Sequence, residues 1–458
     1  MSVLDAVAGI PVVADVEVLV VGAGSAGATA AIAAARAGAS TLLVDRLSFL
    51  GGTSTAVLDT FYGFFTPGSA PRKVVGGIGD EVVTGLRDLG PVVERPNTYG
   101  AGTGITYLAE HLKVVWERLV VDSGARVLLH ATVQDVEVHD GRVKSVVLAT
   151  RSGLARVRAQ CIVDASGDAD VCHFAGFGYE TAGELDPAQT LTTTFRMTGV
   201  DVTHRRTISK DELHALMADA AESGAYDLPR REGSDHITPI DGVIATVMTR
   251  LDSTRRDPEG RLVTPTDPWF LTEAEMAGRR QALEYARFLH DRVPGYEHAA
   301  LVALGTQVGV RETRRVYGDA RLTRGDVLGA RQTDDQIGLC GAPIEDHHGD
   351  ATTGGTGTTW HYLPDGQAVG IPFSTLIVRD AANVLVAGRC FSATHDAHAS
   401  VRSMAQCMAM GQAAGTAASL GVVAGRDPRD LDVGALRDRL RRDGAILELE
   451  PASRGAVA

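Results

Sequence analysis

A glycine-rich turn near the start of the chain is the feature that most constrains its fold: VVGAGSAGATAAIAAARAG occupies residues 20–38. The apolar run Val18–Val21 predicts a buried parallel strand, and the alanine-rich segment after the turn predicts a helix. Gly22 allows the sharp turn, Gly24 allows the backbone to approach a pyrophosphate, and Gly27 allows the helix to lie close to the strand. The free N–H groups and the dipole of that helix would then face the phosphates.

A second strand and an acidic residue complete this unit. Thr41–Val44 is apolar enough for a buried strand, and it is followed by Asp45, whose carboxylate is placed to accept hydrogen bonds from an adenosine ribose. Strand, glycines, helix, second strand and acid in this order predict a dinucleotide-binding site. A glycine-rich turn in an unrelated α/β domain is the alternative.

The segment after Asp45 resembles the flavoproteins of the glutathione-reductase-like superfamily. Arg46 is followed by Gly51–Ser54 (GGTS), which is similar to the loop that those proteins place along the pyrophosphate and ribityl chain. The resemblance implies FAD as the cofactor rather than a nicotinamide nucleotide. The FAD contacts predicted in this part of the chain are Gly22, Gly24, Ser25, Ala26, Gly27, Asp45, Arg46, Gly52, Thr53 and Ser54.

The length and the strand pattern predict an α/β fold with two interleaved domains, since 458 residues exceed one compact core. Alternating strands joined at Asp140-Gly141 and Ser152-Gly153 predict a β-meander over residues 133–163. We expect a Rossmann-like FAD-binding domain, a parallel sheet plus this meander, with an inserted α+β substrate domain. The predicted boundaries are 14–178 for the first part of the FAD-binding domain, 179–378 for the substrate or cap domain, 379–425 for the second part of the FAD-binding domain, and 426–458 for a C-terminal helix and tail.

Two motifs in the second half of the chain make the resemblance specific. RETRRVYGD at 311–319 and LTRGDVL at 322–328 are similar to the FAD-dependent oxidoreductase family, flavoproteins with the two-domain arrangement of fumarate reductase and L-aspartate oxidase. PIEDH at 343–347, GIPF at 370–373 and NVLVAGRC at 383–390 keep the order of that family. The resemblance implies that the backbone of Val133 contacts the adenine. It also implies that Ala165, Ser166, Gly167, Gly388 and Arg389 lie against the FAD.

The stretch 388–420 contains a loop with two histidines and then a helix that we predict to begin near Ser400. In the flavoproteins that this chain resembles, the N-terminus of this helix points at N1 and the C2 carbonyl of the flavin. The resemblance therefore implies that Arg402, Ser403 and Met404 stabilise the anionic reduced flavin, in agreement with the positive end of a helix dipole.

The predicted reaction is transfer of a hydride from a small organic substrate to N5 of the flavin, by a dehydrogenase or oxidase. Histidine suits the accompanying proton removal because its pKa lies near neutral pH. The candidate catalytic residues are His347, His361, His395, His398 and Arg402, although each histidine also fits a structural role. His398 and Arg402 lie four residues apart, the spacing of one helix face. A monooxygenase that uses NAD(P)H and oxygen and a non-catalytic flavin-fold binding protein are the alternatives.

Two further segments are expected near the site. Phe61–Phe65 (FYGFF) is predicted either to line the flavin or substrate pocket or to pack in the core. Asp346–His361 is rich in glycine and threonine, and we predict a mobile loop beside the active site that acts as a lid. A plain surface loop is the alternative.

The composition limits the partners. A formal net charge of -13 argues against a nucleic acid or an anionic membrane surface. The first residues lack the basic region of a signal peptide and the longest apolar stretches carry arginine or glutamine, so we expect a cytoplasmic protein without membrane insertion. Few lysines beside abundant alanine, glycine and arginine indicate a GC-rich, bacterial genome. Five cysteines without a C-x-x-C pair argue against a redox pair or a local metal site. We expect a small-molecule substrate as partner, and a homo-oligomer stays open.

Overall fold

The structure is a computed structural model that describes residues 9–58, 60–68, 70–95, 103–349 and 356–449. Its strands are β1 Val12–Val21, β2 Thr41–Val44, β3 Val93–Arg95, β4 Gly104–Thr106, β5 Arg126–Leu128, β6 Thr132–His139, β7 Arg142–Thr150, β8 Gly153–Asp164, β9 Tyr179–Thr181, β10 Phe195–Thr198, β11 Ser234–Ile237, β12 Ile244–Val247, β13 Arg255–Arg256, β14 Leu262–Val263, β15 Ala300–Leu304, β16 Arg314–Val316, β17 Gln336–Cys340, β18 Ile344–Gly349, β19 Thr356–His361, β20 Val369–Pro372 and β21 Val384–Val386. Its helices are α1 Ser25–Arg36, α2 Thr53–Ala56, α3 Ile78–Leu89, α4 Ala109–Asp122, α5 Asp170–Phe174, α6 Val202–Arg205, α7 Lys210–Glu222, α8 Pro268–Arg292, α9 Arg324–Leu328, α10 His395–Val401, α11 Met404–Ala424 and α12 Val433–Arg442.

The largest sheet in the described part of the chain has seven strands, in the order β5-β2-β1-β8-β7-β6 with β21 also beside β8. β1 pairs in parallel with β2 (Val18 opposite Thr41) and with β8 (Val20 opposite Val163). β8 also pairs antiparallel with β7, and β7 with β6, so the parallel strands and the meander share one sheet. Successive residues of β1 enter separate cores on the two faces, which explains its unbroken apolar run. The predicted α/β fold is confirmed.

Two helices rich in small residues, α1 and α11, cover one face of this sheet. Cβ atoms built on Gly411 and Gly415 would lie 2.1 and 2.0 Å from the carbonyl oxygens of Ala26 and Ala30. Only glycine therefore permits the close approach of these two helices. Helix α11 is long and apolar enough to cross a membrane by length and composition, and 72% of its most apolar window is buried inside the protein.

A four-stranded antiparallel sheet, in the order β11-β12-β10-β15, packs with helices α7 and α8. Its core includes Phe195, Tyr285 and Phe288 and is separate from the cores of the larger sheet. These elements have the α+β character expected of a substrate domain at 179–378. Strands β17 and β20 lie in the same range but pack in the core that holds α1 and α11. The domain boundaries therefore stay a prediction.

Two segments differ from the prediction. The helix predicted to begin near Ser400 begins four residues later, at Met404. Ser400 itself lies in the short helix α10, and Ser403, with ψ 150°, separates the two helices. The prediction of a loop at Asp346–His361 is wrong for residues 346–349 and 356–361, because these residues form the antiparallel strands β18 and β19. The threonines and Trp360 of β19 suit a strand, where β-branched and aromatic side chains pack well. Residues 350–355 lie outside the described residues.

Candidate functional site

A deep cleft opens beyond the carboxyl ends of β1, β2, β8 and β21, the edge at which open α/β sheets bind ligands. It encloses about 1120 Å³ of space free of protein atoms. The predicted FAD contacts in its wall are Gly22, Gly24, Ser25, Ala26, Asp45, Arg46, Gly52, Thr53, Ala165, Ser166, Gly167, Gly388, Arg389, Arg402 and Met404. The structure thus brings four distant segments of the chain together on one surface.

The three glycines of the first turn have different surroundings. A Cβ on Gly22 would lie 2.4 Å from the carbonyl oxygen of Ala165, and its φ of +91° is one that glycine adopts without strain. A Cβ on Gly27 would lie 1.7 Å from the carbonyl oxygen of Gly22, so Gly27 sets the distance between helix and strand. Gly24 faces the cleft, and the nearest atom to a Cβ there is 3.9 Å away. The start of α1 is therefore open to a phosphate group.

The second loop completes the floor of the cleft. Gly51 donates its N–H to the carbonyl oxygen of Ala23 at 2.8 Å, which holds the GGTS loop beside the first turn. The Asp45 carboxylate accepts the N–H of Ala23 at 2.5 Å and that of Leu47 at 2.7 Å. Each carboxylate oxygen keeps a second acceptor site for a ribose hydroxyl. Open glycine backbone, a helix N-terminus and a fixed acid are the donor and acceptor set that a dinucleotide requires, so the cleft fits FAD.

Two arginines flank the cleft. Arg389 donates to Asp168 at 2.9 Å and to the carbonyl oxygen of Val310 at 2.6 Å, so one carboxylate balances its charge. Arg46 donates to the side-chain oxygen of Gln307, a neutral acceptor, at 3.2 Å. An exposed guanidinium at this position favours a ligand with negative phosphates.

Four predicted contacts do not line the cleft: Gly27, Ser54, Val133 and Ser403. Gly27 lies beneath the turn, and Ser54 is buried with its hydroxyl donating to the carbonyl oxygen of Gly51 at 2.7 Å. Val133 is buried in β6 of the meander. Ser403 lines a second cavity next to the cleft.

This second cavity, which we call the chamber, encloses about 910 Å³. It shares Thr53, Val247, Arg311, Arg402 and Met404 with the cleft. The remaining wall residues are Tyr62, Arg230, Ser234, His236, Glu345, His347 and Ser403. Of the FYGFF segment, Tyr62 lines the chamber, whereas Phe61 and Phe64 are buried in the core. Core packing is therefore confirmed for Phe61 and Phe64, and a pocket role stays a prediction for Tyr62.

The N-terminus of α11 lies where the cleft and the chamber meet. Met404 and Arg402 line both cavities, and no side chain caps the first N–H groups of this 21-residue helix among the described residues. Those groups carry the partial positive charge of the helix dipole. The N-terminus and the Arg402 guanidinium together stabilise negative charge at this junction.

The chamber wall is positively charged. Arg311 donates to the carbonyl oxygen of Thr190 at 2.6 Å and to the hydroxyl of Thr192 at 2.8 Å. Arg402 donates to the side-chain oxygen of Gln189 at 2.6 Å. All three acceptors are neutral, so these hydrogen bonds orient the guanidinium groups without neutralising them.

A third guanidinium adds to this charge. Arg230 has the Glu232 carboxylate 3.9 Å away, and the same carboxylate lies 3.2 Å from Arg250 behind the wall. Burial lowers the pKa of Arg311, and the charges of Arg402 and Arg250 lower it further. Positive charge that is crowded and partly desolvated costs free energy until an anion binds it. The chamber is therefore suited to an anionic ligand.

His395, one of the predicted catalytic residues, belongs to a buried ion network. Its Nδ1 lies 3.0 Å from Glu312 and its Nε2 lies 3.1 Å from Asp346. Burial lowers the pKa of His395, but hydrogen bonds to Asp346 and Glu312 outweigh it and raise the pKa to about 10. A histidine that is already protonated at neutral pH cannot accept a proton. It ties α10 to β18 instead.

His398 and His361 do not line the chamber. The ring of His398 is fully buried, and its Nε2 donates to the carbonyl oxygen of Arg389 at 2.7 Å. Burial first, and the charges of Arg315 and Arg402 next, lower the pKa of His398 to about 3 despite the opposing charge of Glu312. His361 lies on β19 opposite Ile344. Arg402 is the C-cap of α10 and donates its N–H to the carbonyl oxygen of His398 at 3.1 Å, so the two residues keep the helical spacing of four that was predicted. Of the two, only Arg402 lines the chamber.

His347 is the predicted histidine that reaches the chamber. It lies on β18 and is nearly buried, with Arg250 Nη2 2.8 Å from its Nδ1 and Glu345 Oε1 3.1 Å from its Nε2. Burial holds the pKa of His347 well below its ordinary value, and the neighbouring arginines, Arg311 first, lower it further. The ring is therefore neutral.

Four charged or titratable residues of the chamber wall were not predicted from the sequence: Arg230, His236, Arg311 and Glu345. Arg311 and Glu345 lie inside the RETRR and PIEDH motifs, which were used only as markers of the family. Arg230 and His236 lie in a polar stretch without any comparable pattern.

Comparisons with known proteins show which family the sequence matches. A family model described as FAD dependent oxidoreductase matches residues 17–440. Thiamine thiazole synthase from Methanococcus maripaludis is 30% identical over 189 residues, which are 38% of this chain and 66% of that protein, just under two thirds of its length. Two solved structures are similar over most of this chain. A geranylgeranyl bacteriochlorophyll reductase-like protein from Thermoplasma acidophilum has 13% identity, covers 94% of this chain and 83% of its own, with a TM-score of 0.44. CabE, an aromatic hydroxylase from angucycline biosynthesis, has 16% identity, with 94% and 65% covered and a TM-score of 0.46.

The family model spans nearly all of the described elements, from β1 to α12, and includes every wall residue of the cleft and the chamber. The match and the fit of the cleft identify FAD as the cofactor and oxidation–reduction as the type of reaction. The chain belongs to the FAD-dependent oxidoreductase family.

Proposed function

We propose that this enzyme is a dehydrogenase or oxidase that takes a hydride from a small anionic organic substrate. FAD binds in the cleft, and the substrate binds in the chamber. When bound, FAD accepts the two electrons of the hydride at N5. The observation that carries the proposal is the wall shared by the two cavities, which contains Arg311, Arg402 and Met404. Two ligands in these cavities would contact each other there.

The residues of the cleft hold the cofactor in this proposal. The open backbone at Gly24 and the N-terminus of α1 bind the pyrophosphate, and Asp45 accepts hydrogen bonds from the ribose. The N-terminus of α11 and Arg402 favour the negative charge that reduction adds. We also propose the two-domain arrangement of fumarate reductase and L-aspartate oxidase, with the four-stranded sheet as part of the substrate domain.

The residues of the chamber select the substrate. Arg230, Arg311 and Arg402 supply three guanidinium groups, and a carboxylate or similar anion would satisfy donors that now bond only to neutral acceptors or to none. A charge-assisted hydrogen bond of this kind contributes about 1.5–3 kcal/mol. We therefore expect the substrate to carry at least one negative charge.

The test is anaerobic reduction of the FAD-loaded protein by a panel of hydroxy acids and amino acids, each with and without NADPH. We expect one member to bleach the flavin absorbance without NADPH, because the substrate itself is the hydride donor. Bleaching by NADPH alone, with no effect of any panel member, would support the monooxygenase alternative and overturn the proposal. The same measurement on variants in which a chamber arginine is replaced by glutamine shows whether that arginine is needed, and R324Q, which changes an exposed arginine, is their matched control.

A further inference from the structure

Glu345 is the carboxylate that lines the chamber among the described residues. It lies on β18 with its side chain 30% exposed, whereas its neighbour His347 is 6% exposed. The surrounding guanidinium groups favour the ionised form of its carboxyl group. The nearest polar atom given for this carboxyl group is Nε2 of His347, at 3.1 Å. Glu345 is thus a chamber carboxylate that is free to meet a ligand.

The hydrogen bonds of His347 fix its tautomer. Arg250 Nη2 lies 2.8 Å from Nδ1, and a guanidinium can only donate, so Nδ1 is the acceptor and carries no proton. The single proton of the neutral ring is therefore on Nε2, which lies 3.1 Å from Oε1 of Glu345. Arg250 is held in place by Glu232 at 3.2 Å and by the carbonyl oxygen of Gly357 at 2.8 Å. His347 has no free lone pair with which to take a proton from a substrate.

We propose that Glu345 is the catalytic base of this enzyme and that His347 is its positioning residue. The inference rests on the proposed function. As the C–H bond of the substrate breaks and its hydride leaves for the flavin, the hydroxyl or amino group on the same carbon loses a proton, so its O–H or N–H bond also breaks. Its proton forms a new O–H bond on the free oxygen of Glu345, and the electron pair it leaves becomes the second bond of the C=O or C=N product. The substrate is accordingly an anionic alcohol or amine.

The surroundings of Glu345 suit this role. The charged and titratable groups that face it are Arg402 at the end of α10, Arg311 before β16, Arg230 before β11, Arg250 after β12, His347 on its own strand and Tyr362 after β19. Burial raises the pKa of Glu345 above its ordinary value, and this outweighs the lowering by Arg402 and the other arginines. A base works best when its pKa approaches the working pH.

The first test follows binding of sulfate, a dianion across the whole pH range, to the FAD-loaded protein through the flavin absorbance. Ionised Glu345 repels sulfate, so we expect the wild-type Kd to rise about tenfold as pH increases through the pKa of Glu345. In E345Q this rise should vanish, and E117Q, which changes an exposed carboxylate on α4, should behave like wild type. A rise of equal size in E345Q would overturn the assignment, since another group would then be titrating.

The second test uses the panel compound that reduces the wild-type flavin. We expect E345Q to slow that reduction about 10²- to 10⁴-fold, with sulfate affinity at low pH unchanged, and E345D to recover part of the rate. H347A should shift the midpoint of the sulfate profile to higher pH, because the carboxylate loses the polar N–H that lies 3.1 Å away, and H347Q should restore part of that shift. A wild-type rate in E345Q would overturn this inference alone. Failure of every panel compound to reduce the wild-type protein would overturn the proposed function with it.

Discussion

Single residues of the RETRR motif have separate tasks, although they are close neighbours in the chain. Arg311 lines the chamber, whereas Glu312 binds His395 and Arg315 in the interior. Arg315 also pairs with buried Glu180 on β9. A family resemblance predicts that this motif matters. It does not show which of its charges reaches the ligand, since that depends on the path of the backbone between β15 and β16.

At this scale we predict that R311Q weakens substrate binding. Removing one charged donor to an anion should raise KM about 10- to 100-fold, with a smaller effect on kcat. Steady-state or stopped-flow kinetics on the FAD-loaded variant would measure both, and FAD content must be determined because Arg311 also borders the cleft. R324Q, which alters a surface arginine paired with Asp396, is the control. Unchanged KM in R311Q would contradict an anion site at Arg311.

At the scale of elements, the unit from β1 to β2 was predictable because its signals are local: an apolar strand, spaced glycines and an acid lie within 30 residues. The packing of α1 against α11 was not predictable in this way. Gly411 and Gly415 are more than 370 residues away from Ala30, and glycine in a helix is by itself ambiguous. The predicted start of α11 was four residues too early, since no proline or glycine marks the break at Ser403 in the sequence.

We predict that G411A and G415A each lower the free energy of unfolding by about 3 kcal/mol and reduce FAD retention. Their Cβ atoms would collide with backbone carbonyls of α1, which cannot move without displacing the first glycine turn. Thermal unfolding of the purified variants and their flavin content would measure this. G325A in α9 is the matched control, because its Cβ would be 3.8 Å from the nearest atom and alanine favours a helix. Stability equal to that of G325A would contradict the tight helix contact.

At the scale of the whole molecule, the chamber is assembled from residues 53–62, 230–247, 311, 345–347 and 402–404. These segments are far apart in the chain, so no local sequence pattern predicts the chamber. The buried network of Glu312, His395 and Asp346 holds several of these segments together. The same network keeps His395 protonated at neutral pH, so His395 cannot be the catalytic base that the sequence suggested.

We predict a pH-dependent stability contribution from this network. The pKa of His395 rises from 6.5 to about 10 on folding, so its contribution is full below pH 6.5 and is lost as pH rises toward 10. The pKa of Glu312 falls from 4.5 to about 2, because the charges and hydrogen bonds of His395, His398 and Arg315 outweigh burial, so its contribution is full above pH 4.5. H395Q should therefore be destabilised most between pH 4.5 and 6.5, by about 3 kcal/mol.

Thermal unfolding across this pH range would compare H395Q with wild type and with H139Q, which alters a surface histidine. The gap between H395Q and wild type should narrow as pH approaches 10. A gap that stays constant with pH would mean that packing, and not charge, is what His395 contributes.

The central claim is that the chamber presents an anionic hydride donor to the flavin in the cleft. Its most direct measurement is the anaerobic rate of flavin bleaching by the reactive panel compound and by its uncharged amide, without NAD(P)H. The account predicts rapid bleaching by the acid and a rate lower by at least about 100-fold for the amide, because the guanidinium groups of the chamber lose their anionic partner. Equal rates for the acid and the amide, or bleaching that requires NAD(P)H, would contradict it.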